Sequence, residues 1–125
     1  VQACLALGAT AVQVGTAYLL CPEAHTSELH KQAIKSDKSQ HTALTNVFSG
    51  KPARGIVNRS MTELGYMNAT APAFPYAAIE MTELRKQAEK QHNADFSPLW
   101  CGQNTQGCAE ISAKALTLQL AAVDV

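Results

Sequence analysis

The stretch Gly8-Ala9-Thr10-Ala11-Val12-Gln13-Val14-Gly15-Thr16-Ala17-Tyr18-Leu19 constrains the fold of this chain more than any other. Ala11 to Val14 is short and apolar enough for a buried parallel strand, it ends on a Gly-Thr pair, and helix-compatible sequence follows at once. Upstream, Val1 to Leu7 has the alanine and leucine content of a helix, with Gly8 placed to end it. Helix, glycine, strand, Gly-Thr and helix make an α/β unit, and such units bind ligands at the carboxyl ends of their strands. Gly15 and Thr16 fall there. A bare glycine backbone admits an anion, the threonine hydroxyl donates, and a helix start offers unpaired N–H groups and the positive end of its dipole. The element reads as a phosphate cradle, with a plain turn as the competing reading.

Several function classes drop out on composition. Ten basic residues balance ten acidic ones, and no basic run exceeds Arg85-Lys86, so there is no electrostatic footprint for nucleic acid. No apolar run approaches the roughly 20 residues that span a bilayer, and the first residues lack a signal-peptide pattern. The expectation is a soluble, cytoplasmic protein without nucleic-acid or membrane partners. Cys4, Cys21, Cys101 and Cys108 show no Cys-x-x-Cys spacing and no paired histidines, which predicts free, mostly buried thiols and no metal site. A helix already under way at Val1 implies upstream sequence.

Along the rest of the chain, Thr26 can cap a helix from Ser27 to about Lys35, and Ser36 to Gln40 is a loop. His41 to Phe48 reads as extended, and Ser49-Gly50-Lys51-Pro52 as a turn. Ala53 to Tyr66 fits an irregular strand followed by a short helix, and Asn68 to Phe74 fits a loop. Pro75 can open a helix running to about Gln91, and Ala109 to Ala122 reads as a closing helix. Between them, Phe96 to Gly107 is a loop holding the only tryptophan, Trp100, together with Gly102, Gln103, Asn104 and Gln106. Its ring could plug a domain edge or serve a ligand.

No nucleophile and base constellation is present. His25, His30 and His92 sit in polar sequence and read as solvated, His41 opens a strand, and none is assigned a catalytic role. What remains is one phosphate cradle and one aromatic, amide-rich loop, a combination suited to a cofactor that carries its own redox chemistry.

Ala6 to Leu19, then Glu23-Ala24, then Phe48-Ser49-Gly50-Lys51-Pro52-Ala53-Arg54-Gly55 with Asn58-Arg59 behind it, then Leu99-Trp100-Cys101-Gly102-Gln103, follow in an order that resembles the nitronate monooxygenases, formerly called 2-nitropropane dioxygenases. The resemblance runs over essentially the whole chain. It implies an α/β fold, the C-terminal part of an FMN-binding (β/α)8 (TIM) barrel with part of a smaller added helical or α+β domain. A complete barrel takes about 250 residues. Residues 1–36 would be a late barrel βα unit with the FMN-phosphate loop, 37–95 a segment of the added substrate-side domain, and 96–125 the flavin-side loop and a C-terminal helix returning to the barrel.

By the same resemblance, Gln13, Val14, Gly15 and Thr16 would bind the FMN phosphate, and Trp100, Gly102 and Gln103 would lie on the flavin and substrate side. The family's catalytic histidine would lie upstream, in the missing N-terminal barrel half, so the isolated chain is expected to be inactive and to hold FMN weakly. The implied reaction is oxidation of an alkyl nitronate by O2 to a carbonyl compound and nitrite. A flavin-dependent enoyl or quinone reductase on the same barrel, and a non-catalytic binding module, are the alternatives.

Overall fold

The computed structural model describes residues 1–121. In chain order its elements are α1 (Gln2–Ala6), α2 (Glu28–Lys35), β1 (Thr42–Thr45), β2 (Ala53–Ile56), α3 (Arg59–Leu64), α4 (Tyr76–Lys90) and α5 (Ala113–Ala121), with 3-10 turns at Thr16–Leu20 and Asp37–Gln40. They form two compact units, one of Val1–Thr26 with the chain from Gln106 onward, the other of Ser27–Thr105. Among the described residues no helix is long and apolar enough to cross a membrane.

In the first unit, α1 ends where expected. Gly8 adopts φ 97°, a left-handed value that glycine takes without a Cβ penalty, and Gly8 N–H and Ala9 N–H donate back to Leu5 and Cys4. The expected strand at Ala11 to Val14 is not formed. A strand exists only by pairing, and among the described residues the sheet pairs β1 with β2 alone, leaving this segment outside any regular element. Its side chains still alternate, with Val12 and Val14 half-buried and Ala11, Gln13 and Gly15 exposed.

Among the described residues of this unit, Leu20, Cys21 and Leu116 are the buried apolar ones. The closing helix begins at Ala113, later than the expected Ala109, because its caps lie there. Ser112 Oγ accepts from Ala115 N–H at 3.2 Å, and both carboxylate oxygens of Glu23 accept from Ala113 N–H at 3.0 and 3.1 Å. Ala122 lies outside the described residues.

In the second unit, α2 starts one residue later than expected, at Glu28. Ser27 caps it, its Oγ accepting from His30 N–H. Ala33 and Ile34 are its buried side. The residues expected as a loop after it include a 3-10 turn.

β1 and β2 pair antiparallel, with Thr42 opposite Ile56 and Thr45 opposite Ala53. β1 is shorter than the expected His41 to Phe48, since the chain turns after Thr45. Thr45 Oγ1 accepts from Val47 N–H at 3.3 Å, and Gly50 N–H closes onto the Asn46 carbonyl at 2.8 Å. Gly50, at φ 83°, is required there twice over, because a Cβ would also run into the backbone of Pro72 to Phe74.

The turn drops Val47 and Phe48 into a core with Met61, against which Ala43, Val57, Met81 and Trp100 pack. Asn58 caps α3, its Oδ1 accepting from Met61 N–H, and α4 follows Pro75 as the sequence predicts. The four cysteines are thiols outside any disulfide, Cys21 and Cys101 buried, Cys108 partly so and Cys4 exposed.

Candidate functional site

Gln13 and Val14 lie outside any regular element, Gly15 is the cap of a 3-10 turn, and Thr16 is the first residue of that turn. Gly15 carbonyl accepts from Tyr18 N–H at 3.0 Å, which opens the 3-10 turn over Thr16–Leu20. Val14, with Val12, Tyr18, Thr117 and Leu120, lines an apolar concavity of about 360 Å³, and Tyr18 Oη meets Thr117 Oγ1 at 2.7 Å on its wall. Gln13 and Gly15 face solvent instead, and Thr16 is half-buried.

This geometry corrects one part of the sequence argument. The dipole of a full α-helix is not available at Gly15, since only five residues of 3-10 helix follow. What the turn offers is chemical and steric: the N–H groups that begin it, and open space, because a Cβ on Gly15 would meet nothing within 4 Å. Gly15 φ is −116°, a value open to any residue, so no backbone strain demands a glycine here.

In the other unit, Trp100 is fixed from several directions. Its ring meets Phe48 edge-on, centroids 5.9 Å apart at 86°. Its backbone bridges Gly55 of β2, flanked by Ile56 N–H donating to Leu99 carbonyl at 2.8 Å and Cys101 N–H donating to Arg54 carbonyl at 3.1 Å. The loop thus lays one residue of strand against β2. Gly102 and Gln103 are exposed beyond it, and Thr105 Oγ1 meets Ser39 Oγ at 2.9 Å.

His30 is the residue that sequence reasoning misplaces. It is half-buried rather than solvated, and its Nε2 donates to the Trp100 carbonyl at 2.9 Å, since a carbonyl oxygen only accepts. Burial pushes its pKa down, the Trp100 carbonyl pulls the other way, and the charge of Arg85 lowers it further, for a net decrease below the usual histidine value. The signal was present in the sequence: His30, Ala33 and Ile34 stand at i, i+3 and i+4, which is one face of α2. Beside this helix lies a concavity of about 410 Å³ whose walls include Gln32, Lys38, Asn58, His92, Asp95 and Leu99. Among the described residues no three His, Cys, Asp or Glu side chains converge as metal ligands.

The family model described as nitronate monooxygenase matches residues 1–122. A probable nitronate monooxygenase of Bacillus subtilis is 40% identical, the match covering 100% of this chain and 36% of that protein. The nitronate monooxygenase of Pseudomonas aeruginosa is 35% identical over 93% of this chain and 33% of its own length. A crystal structure of the nitroalkane oxidase from Streptomyces ansochromogenes superposes with a TM-score of 0.83 at 40% identity, covering 96% of this chain and 34% of that one. The chain therefore spans about a third of the length of the relatives it matches. A family match across nearly every residue, with the fold agreeing at the same level of identity, means that the chain belongs to the nitronate monooxygenase family.

Proposed function

We propose that this chain is the C-terminal third of an FMN-dependent nitronate monooxygenase built on a (β/α)8 barrel, which oxidises alkyl nitronates with O2 to a carbonyl compound and nitrite. The observation that carries the reading is the agreement in fold with a nitroalkane oxidase, at a TM-score of 0.83 and 40% identity over 96% of the chain. In the full-length enzyme the segment Ala11 to Val14 gains the neighbouring strands it needs, and the catalytic histidine comes from outside these residues.

Within this reading, Gln13, Val14, Gly15 and Thr16 hold the FMN phosphate. The fit rests on the open approach at Gly15 and on the N–H groups that open the turn, donors suited to an anion. FMN, when bound, supplies the electron transfer. Trp100, Gly102 and Gln103 form the flavin and substrate side, where the packed Trp100 indole excludes water and the exposed Gln103 amide can hydrogen-bond a polar ligand edge.

The test uses the full-length enzyme with Thr16→Val and, separately, Gly15→Val. Gly15 has an ordinary φ and a Cβ there would meet nothing of this chain within 4 Å, so the turn itself should survive while the anion's approach is blocked. Flavin retained after purification should fall, and FMN affinity measured by fluorescence titration should weaken about tenfold or more, the worth of one hydrogen bond to a charged group. Unchanged flavin retention in both variants would remove the cradle. Absence of nitrite release from alkyl nitronates by the wild-type enzyme would remove the reaction.

A further inference from the structure

The loop assigned above to the flavin and substrate side is held at both ends by one piece of chain, α2 and the turn that follows it. Against β2, residues of a strand alternate in direction: Leu99 carbonyl and Cys101 N–H point at β2, so the carbonyl of the bridging Trp100 points away from it. That carbonyl is the acceptor which a further strand would satisfy. His30 Nε2 occupies the position, at 2.9 Å, from a helix 70 residues earlier in the chain. Further along, Ser39 Oγ meets Thr105 Oγ1 at 2.9 Å. Gly102 and Gln103 lie between these two fixings.

We infer that His30 is a positioning residue of the enzyme: by donating Nε2–H to the Trp100 carbonyl it sets where the Trp100–Gln103 loop leaves β2, and thereby where Gly102 and Gln103 meet substrate. The inference rests on the reading of that loop as the substrate side. The chemistry asks for a donor at a fixed point on a half-buried ring. An imidazole supplies it with only two side-chain torsions to order, and the carbonyl selects the tautomer that carries the proton on Nε2. A residue that merely filled the space beside Ala33 and Ile34 would need no donor there.

Two variants of the full-length holoenzyme separate the donor from the bulk. His30→Leu keeps the volume and removes the N–H, whereas His30→Gln keeps an N–H donor. Amide hydrogen exchange of residues 100–105 should rise about tenfold in His30→Leu, the effect of leaving one partly buried acceptor unpaired, with β1 and β2 unchanged. The kcat/KM for an alkyl nitronate should fall by a similar factor, carried by KM more than by kcat, at unchanged flavin content, and His30→Gln should restore both readouts. Wild-type values for His30→Leu in exchange and kinetics would overturn the inference, as would equal damage in both variants. If the wild-type enzyme fails to oxidise nitronates, the functional reading falls, and the exchange experiment still decides whether His30 holds the loop.

Discussion

Gly55 lies directly across the backbone bridge from Trp100, so close that a methyl group on Gly55 would come within 3.0 Å of the Leu99 carbonyl oxygen and 3.4 Å of the Trp100 ring. The absence of a side chain is what lets the loop reach β2. The Leu99 carbonyl has little room to give, because it already accepts from Ile56 N–H at 2.8 Å. Gly55→Ala should therefore push the loop outward and destabilise the protein by about 1–2 kcal/mol, more than the few tenths gained from a stiffer unfolded chain. A urea midpoint at or above that of the wild type would show that the bridge yields without cost.

Asn58 uses every part of its amide. Oδ1 accepts from Met61 N–H at the start of α3, while Nδ2 donates to the carbonyls of Ser97 at 2.9 Å and Ala94 at 3.4 Å, and the residue is 9% exposed. Aspartate is as good a helix cap as asparagine in general, yet here Asn58→Asp would turn a carboxylate oxygen toward two carbonyl oxygens. We expect a loss of about 2–4 kcal/mol near neutral pH, partly recovered on acidification once the carboxyl can donate to Ser97. Asn58→Ser, which keeps only the cap, should be less damaging at pH 7. Aspartate performing as well as asparagine in denaturant melts would show that the Nδ2 bonds contribute nothing.

The pattern of what the sequence made legible follows from the range of the forces involved. α2 and α4 are readable to within a residue or so, because helical periodicity is encoded within one turn of chain, although the cap of α2 is Ser27 and not the expected Thr26. The Ala11 to Val14 strand is not, since its pairing would have to come from chain far away in sequence, and composition cannot say whether that chain is there. The start of α5 was set by Glu23, 90 residues upstream. At the candidate site, Gly15 and Thr16 were legible as residue types, but the 3-10 geometry that replaces the helix dipole was not. His30 was misread because its neighbours in sequence are polar, whereas its neighbours on the helix face are Ala33 and Ile34.

That same burial gives the protein a pH dependence. The His30 pKa is lowered in the folded state, first by desolvation and also by the charge of Arg85, against the opposing pull of the Trp100 carbonyl. As pH falls through about 6.5, the unfolded chain takes up a proton at this site before the folded one does, so the unfolded state binds more protons and stability falls. Above that window the imidazole is neutral in both states and the term vanishes. Urea unfolding of the full-length protein at pH 7.5 and pH 5.5 should show a drop for the wild type that is smaller in His30→Gln, which cannot titrate there; taking the difference cancels the other histidines and the carboxylates. An NMR titration giving His30 a value at or above the ordinary histidine pKa, with equal drops in the two proteins, would mean that its ring is solvated after all.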